Sequence, residues 1–572
     1  MIKSSCLKSL IFILTLMLSL MLSCEKEDIS TGNGDDDVAD GTSHELESDY
    51  SWDNSSEVTI TLNGTSITKN SSNVSVNGST ATITAAGNYR ISGTLTNGQI
   101  MVNASDDAIV RLIFDGVNIT NSSSSAVVIK NTSKTIIDLV AGTTNSVTDG
   151  STYSSSDEDL NAAIFSKSDL TIFGEGTLTV KGNYLDGITS KDGLVIKSGT
   201  YNVTAKDDGI RGKDYLIVRD GTITVTSGGD GLKSDNDANS DVGYVLIDNG
   251  SITVTSTGDG ISAQTYVSTS GSGTYSLKTG GGSSGSTSTS AKGIKGISSV
   301  IIENGTYVFN SADDAIHSEG TVTIAAGNIQ ISTSDDGIHA ETAITIDDGT
   351  IKITKSYEAL ESKNITIKGG DLYIVASNDA INATAGTVQG GTEQNDGSCF
   401  TMNGGTLFAN CTNGDAIDSN GNVLITGGTA IANGPEQGIE EAADINGSFN
   451  MNGGFFIGSG TNSNMNKTMS STSTQRNIYV ISSRNKISLG SIFHIQDNSG
   501  QDIVTFLPVR GYYSILFSSS GLATGVTYSI YTGGSCTGTV TNGLYSGGTY
   551  SGGTLKKSFT LSTNSTVTSV SL

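Results

Sequence analysis

Through the middle of the chain the apolar side chains come in short bursts of period two, separated by small and polar residues. From Asp186 to Ala205 they fall at Ile188, then Leu194 and Ile196, then Tyr201 and Val203. The next stretch repeats the order with Ile210, Leu216 and Val218, then Ile223 and Val225. Bursts of this kind, divided by glycine-containing turns, predict three short strands per unit. Asp220-Gly221, Asn249-Gly250, Asn304-Gly305 and Asp348-Gly349 supply the turn chemistry.

The units repeat. Asp-Gly-Ile or a variant stands at Asp186, Asp208, Asp230 and Asp259, and returns at Asp314, Asp336, Asp379 and Asp415. The steps 186 to 208 to 230, and 314 to 336, are each 22 residues. Glu358-Ala359-Leu360 and Gln437-Gly438-Ile439 continue the register, and the gaps 230 to 259 and 379 to 415 hold inserted loops. A unit this small cannot bury its own apolar face, but a stack of such units encloses a continuous core. The expected fold is therefore all-β, a right-handed three-stranded parallel β-helix. About 14 coils between Asp107 and Gln437 would extend it to roughly 65 Å at ~4.8 Å per coil. A propeller needs a longer period, and parallel crossovers are almost always right-handed.

The pattern also divides the chain. Residues 49–100 alternate as short strands (Val58 to Leu62, Ala81 to Ile83) and are expected to cap the N-terminal edge. The repeat occupies 101–460. A Ser/Thr/Asn-rich linker follows at 461–475, and beyond it the register is lost in a small C-terminal β domain, 476–572.

Residues 1–24 read as a leader: Lys3 and Lys8 precede an apolar run, Leu10 to Leu22, too short to span a bilayer. Met21-Leu22-Ser23-Cys24 resembles the bacterial lipobox, which implies cleavage before Cys24 and lipidation of its thiol. Glu25-Lys26-Glu27-Asp28 resembles a signal that exports lipoproteins to the outer face. The expected location is the cell envelope, as a surface-exposed outer-membrane lipoprotein. Residues 25–48 carry little that packs and read as a flexible acidic linker.

The formal charge of −26 becomes −28 once Lys3 and Lys8 leave with the leader. With no basic stripe, nucleic acid is excluded as a partner, whereas divalent cations are favoured. The 72 glycines against 2 prolines suit many sharp turns and few strand breakers. After processing, Cys399, Cys411 and Cys536 remain. A Cys399–Cys411 bridge is open to them, but buried core thiols fit better.

Stacking sets the repeated aspartates about 4.8 Å apart at one corner. Neighbouring carboxylates would repel by ~0.9 kcal/mol in water and by ~3.5 kcal/mol at an effective dielectric of 20. Calcium, which takes six to eight oxygens, is the natural counter-ion. The strongest candidate is Asp207 and Asp208 with Asp230, Asp259 and the loop carboxylates Asp235, Asp237 and Asp241. The alternative for each Asp before Gly is closure of an Asx turn. Arg211, Lys213 and Lys233 flank the same coils and are candidate sugar contacts. Tyr184, Tyr201 and Tyr215 offer rings for stacking, although Tyr201 falls in an inward register.

Three stretches carry a resemblance: Lys167 to Ile172, Asp207-Asp208-Gly209-Ile210-Arg211-Gly212-Lys213-Asp214, and Gly229-Asp230-Gly231-Leu232-Lys233-Ser234. With Ala85 to Tyr89, Ile91 to Gly93 and Asp115 to Val117, they resemble the pectate-lyase-like family of β-helix carbohydrate-binding proteins. The similarity covers about residues 50 to 270, then more loosely to 460, and Leu516 to Ser520 and Tyr531 to Gly534 also resemble it. The resemblance implies a right-handed β-helix, bound Ca²⁺ and plant-type polysaccharide ligands, either cellulosic or acidic. A monomer is expected.

Two other functions compete. A calcium-dependent polysaccharide lyase needs a base, for which Lys233 or the ridge residue Lys292 could serve. An envelope scaffold or adhesin needs no sugar site. Ser-His-Asp catalysis finds no support: His317 and His339 repeat 22 apart, as positions of the unit do.

Overall fold

A computed structural model describes residues 44–154, 159–285, 290–387, 394–463, 467–482, 485–563 and 565–572. The leader, Cys24 and the segment 25–43 lie outside the described residues. Among the described residues, apart from two short 3-10 turns, Glu47–Tyr50 and Asn54–Ser56, every element is a strand. No helix among the described residues is long and apolar enough to cross a membrane.

The repeat forms along the apolar pattern, many units giving three strands, while Ile338–Ile346 and Leu360–Ile367 each run through two ladders as one strand. Each strand pairs in parallel with its counterpart in the next unit, which builds three ladders. The first runs through Asp186–Ser190, Ile210–Gly212, Leu232–Ser234 and Ile261–Ala263. The second runs through Gly193–Ile196, Tyr215–Val218 and Tyr244–Ile247. The third runs through Thr200–Ala205, Thr222–Ser227 and Ser251–Ser256.

Like stacks on like. Ile188, Ile210, Leu232, Ile261, Ile294, Ile316, Ile338, Leu360 and Ile381 are successive partners and all are buried. Burying one such side chain contributes about 1.5–3 kcal/mol. Third-ladder strands such as Thr222–Ser227 and Ser251–Ser256 alternate strictly, Ile223 and Val225 inward and Thr222 and Thr224 outward. The period-two pattern fixes this register, because a one-residue slip would turn every Ile and Val to solvent.

Two kinds of glycine serve the stack. Gly199, Gly221, Gly250 and Gly305 turn the chain into the third ladder with φ between 118° and 128°, a region that L side chains rarely adopt. The Gly of Asp-Gly-Ile has another reason. A Cβ on Gly209 would lie 2.3 Å from Val225 Cγ1 and 2.6 Å from the Gly231 carbonyl, so the strands approach too closely for a methyl group.

The parallel stacking already begins inside the expected cap. Val58–Gly64 forms a hairpin with Ser66–Lys69 and also pairs in parallel with Gly87–Leu95. Residues 44–48, expected within the flexible linker, belong to the folded body. The His44 ring lies 3.8 Å from that of Tyr215, Glu45 pairs with Arg219, and the adjoining Asp49 is buried against Lys134 at 2.7 Å.

At the other end, the stretch expected as a linker packs on the last repeat. Ser470 Oγ accepts from the Phe449 amide, Ser473 Oγ accepts from the Met451 amide, and Met469 is buried. Beyond it, Asn477–Ile481 pairs antiparallel with Ser514–Ser518 and parallel with Val567–Ser571. Ser514–Ser518 also pairs with Phe455–Gly460, so the C-terminal region is hydrogen-bonded to the third ladder. It carries its own core, with Phe493, Phe506, Tyr528 and Ile530 inside. Cys399 and Cys411 are separate buried thiols.

Candidate cation and carbohydrate site

The repeated aspartates line the start of the first ladder, and each gives one carboxylate oxygen to the next unit. The Asp208 amide donates to Asp186 Oδ1 at 3.2 Å, the Asp230 amide to Asp208 Oδ1 at 2.8 Å, and the Asp259 amide to Asp230 Oδ1 at 2.8 Å. The Lys292 amide continues the line onto Asp259 Oδ1 at 2.7 Å. Oδ1 therefore ties one unit to the next, while Oδ2 meets side chains: on Asp186 it accepts from Thr189 Oγ1 at 2.8 Å and from Asn161 Nδ2. This bond joins neighbouring units and differs from the Asx turn expected of an Asp before Gly, which accepts from an amide two residues on.

Three residues after each ridge position, a second row stands on the adjacent strand. Partners along it are Thr189, Arg211, Lys233, Ser262, Lys295, His317, His339, Glu361, Asn382, Asp418 and Asp444. The row changes from basic to histidine to acidic along the stack. Its basic part answers the repulsion of the ridge. Lys233 Nζ lies 3.0 Å from Asp208 Oδ2 and 2.9 Å from Asp230 Oδ2. Burial opposes the lysine's charge, but Asp230 and Asp208 outweigh it and hold the ammonium above its ordinary pKa.

Arg211 grips Asp235 with two nitrogens, Nε to Oδ1 at 3.0 Å and Nη2 to Oδ2 at 2.6 Å, and reaches Asp186 at 4.0 Å. The loop carboxylates therefore do not converge on Asp208 and Asp230 as expected. Asp235 is taken by Arg211, while Asp237 and Asp241 face solvent on Asx turns that Asn236 and Asn239 close. The carboxylates that do meet are Asp186, Asp207 and Asp208, with oxygens within 4.8 Å of one another. Asp207 is exposed and Asp186 is buried. Burial, then the charge of Asp208, pushes Asp186 up to about 7. Asp259 rises to about 6 through burial and Asp230, and it stands apart from this group.

The remaining candidates scatter. Lys213 is half-buried, and its carbonyl accepts from the Asp235 and Asn236 amides, anchoring the loop. Tyr184 is half-buried, stacked on Tyr153 at 4.2 Å, beside the Asp186 end of the ridge. Tyr201 is fully buried and Tyr215 lies under His44, so neither presents a free face. Lys292 is buried between Asp313 at 2.7 Å and Asp314 at 3.4 Å.

One group was hidden by the period itself. His317 and His339 meet Asp314 and Asp336, and the signal that finds them is the residue three places after each ridge Asp.

A family model described as carbohydrate-binding domain-containing protein matches residues 77–337 and 332–380, more than half of the chain. The chain belongs to this carbohydrate-binding domain family. The match covers the ridge from Asp186 through Asp379 and its facing row through Glu361. A carbohydrate-binding domain-containing protein of Acetivibrio thermocellus is 41% identical over 127 residues, 22% of this chain and 44% of the relative. The chain thus spans less than half of that relative. A solved structure, a polysaccharide lyase-like protein from C. thermocellum as a gadolinium derivative, is 33% identical. It covers 39% of this chain and 92% of its own, with a TM-score of 0.38.

Proposed function

We propose that the protein binds polysaccharide in a calcium-dependent manner at the cell surface, as a monomer tethered to the outer membrane by lipid on Cys24. In this reading the three ladders wind as a right-handed parallel β-helix, the hand that parallel crossovers take. The observation that carries the reading is the meeting of Asp186, Asp207 and Asp208 beside Arg211 and Lys233 of the facing row, with Lys213 two residues on from Arg211. Asp186 meets Arg211 only at 4.0 Å, burial and the charge of Asp208 raise its pKa, and Asp207 is open to solvent. Calcium there would complete its shell with water and with ligand oxygens. An acidic chain meeting an acidic polymer needs such a bridge, and the adjoining cations suit uronate carboxylates or hydroxyls.

Binding fits these residues better than cleavage. Proton abstraction needs a neutral amine, and both Lys233 and Lys292 are held protonated by paired carboxylates. The test is retention on polygalacturonate and on cellulose, with calcium and with chelator, while the absorbance of unsaturated product is followed. Calcium-dependent retention without product is expected, and Asp207→Ala should lose it without disturbing the ridge. Chelation should also lower the melting temperature, since a ligand at 100 times its Kd contributes about 2.7 kcal/mol. Retention indifferent to chelator and to Asp207→Ala would end the calcium reading. Sustained product formation would make the protein a lyase, and failure to retain any glycan would leave a scaffold.

A further inference from the structure

Midway along the first ladder the facing row passes from lysine to two histidines. His317 and His339 are direct partners on neighbouring strands, with ring centroids 5.0 Å apart and planes at 84°. The rings therefore meet edge to face, which lets nitrogens of both point into one space. His317 Nδ1 lies 2.8 Å from Asp314 Oδ2, and His339 Nδ1 lies 3.6 Å from the same oxygen and 3.6 Å from Asp336 Oδ2. Asp314, His317 and His339 each bring a ligand atom within 4.8 Å of the others, and Asp336, His339 and Glu361 form a second such set sharing His339.

The carboxylates are fixed in advance. Asp314 Oδ1 accepts from the Asp336 amide and Asp336 Oδ1 from the Glu358 amide, both at 3.1 Å, which leaves each Oδ2 turned to the histidines. Ligands held on paired strands are better ordered than ligands on loops.

We propose that Asp314, His317 and His339 form a binding site for a divalent metal of the zinc class, with Asp336 flanking it on the next unit. Two imidazoles and a carboxylate are the donors that late first-row metals prefer, whereas calcium takes oxygen almost alone. Zinc bonds of about 2.0–2.2 Å set ligand atoms roughly 3.3 Å apart in a tetrahedron, between the 2.8 Å and 3.6 Å that separate Asp314 Oδ2 from Nδ1 of His317 and of His339. Three protein ligands leave a fourth position for water or for a sugar oxygen.

The surrounding charges accommodate the ion. Lys292 reaches Asp314 at 3.4 Å but makes its shorter contact, 2.7 Å, with Asp313, so a metal on Asp314 leaves the lysine its closer partner. Glu341 lies 3.8 Å from His339 Nε2, and Asp335 and Glu361 add negative charge nearby. The site is independent of the calcium group at Asp186 and stands whether or not that reading holds.

The experiment uses the full chain, stripped with chelator and titrated with Co²⁺ and then Zn²⁺ in a large excess of calcium. The expected result is one Zn²⁺ per chain that displaces cobalt and its visible absorption. His317→Ala with His339→Ala should weaken zinc affinity on the order of 100-fold or more. Asp314→Asn, which keeps an oxygen for the Asp336 amide, should weaken it with the melting temperature largely retained, so binding and folding separate. His494→Gln, a histidine of the C-terminal region, should bind as wild type. Zinc affinity unchanged in both the double variant and Asp314→Asn, displacement by calcium, or absence of any cobalt spectrum would overturn the proposal.

Discussion

The two ends of the ridge meet the same electrostatic problem with different means. Between Asp186 and Asp259 the chain supplies its own cations, with Lys233 bridging Asp208 to Asp230 and Arg211 reaching Asp186. Between Glu358 and Asp418 the facing row is acidic or neutral. Among the described residues, no lysine or arginine pairs with Glu358, Glu361, Asp379, Asp415 or Asp418. There the structure relies on protonation. Burial and neighbouring carboxylates push Asp379 up to about 7, Glu361 and Asp418 to about 8, and Asp415 to about 10. The small residue beside the ridge differs as well: Gly187, Gly209, Gly231 and Gly260 in the first region, Ala359, Ala380 and Ala416 in the second. A single repeat geometry thus tolerates opposite charge economies: the aspartates keep one oxygen for the next amide, and Glu358 accepts instead from the side chains of Asn378 and Asn382.

The largest expected effect follows from the unpaired end. A carboxyl whose pKa rises on folding binds its proton more tightly in the native state. Its contribution to stability is complete below the unfolded value, near 4, and is lost as pH climbs through the folded value. For Asp379, Glu361, Asp418 and Asp415 that window runs from about pH 4 up to 7, 8 and 10. In chelator, the melting temperature should fall steadily between about pH 5 and 9, by an amount worth several kcal/mol. Asp415→Asn with Asp418→Asn should flatten the fall while keeping an acceptor for the Glu441 amide. Parallel pH profiles for variant and wild type would show that these carboxyls are already ionised in the fold.

The paired end should respond to loss of its cation. Lys233→Met leaves Asp208 and Asp230 facing each other across a half-buried site, and the loss should be about 1–3 kcal/mol. Urea unfolding of the variant in chelator should show a loss of that order. The corresponding change at the acidic end, Asn382→Met, removes no charge but takes a hydrogen bond from Glu358, and should cost less. Equal losses would mean that packing, not charge, governs the row.

Much of this contrast was legible along the chain. The 22-residue spacing placed Ile188, Ile210 and Leu232 in one buried stack, and it placed the aspartates on one ridge. Partners within a unit or between neighbours follow from the period. What did not follow was the use each oxygen finds, because Lys233 answers an aspartate of the preceding unit as well as its own. The histidines were seen as repeat positions, and only the register showed that they share Asp314. Local composition also misjudged residues 44–48: Glu45 has too little apolar surface to signal order, yet its partner Arg219 lies far along the chain. The C-terminal region has no period to read. The parallel pairing of Val567–Ser571 with Asn477–Ile481 joins segments that share no repeating pattern.

The smallest expected effect concerns the residue beside the ridge. At Gly209 an added Cβ would meet Val225 Cγ1 at 2.3 Å and the Gly231 carbonyl at 2.6 Å. At Gly231 it would meet Val254 Cγ1 at 2.4 Å and the Gly260 carbonyl at 2.5 Å. The carbonyl belongs to the ladder and cannot retreat without stretching the hydrogen bond it accepts from the Ile210 amide, 3.0 Å long. Gly209→Ala should therefore destabilise by about 1–3 kcal/mol, as overpacking does. At the acidic end the chain already carries a methyl group at this position, in Ala359, Ala380 and Ala416, all fully buried. There the neighbouring strands hold a Cβ, and Ala380→Gly should cost under about 1 kcal/mol through backbone freedom and a small void. Thermal unfolding of the two variants, measured with Lys233 intact, separates packing from charge. If Gly209→Ala melts like wild type, the strands of the paired end are no closer than those of the acidic end. The glycines there would then reflect only the turn.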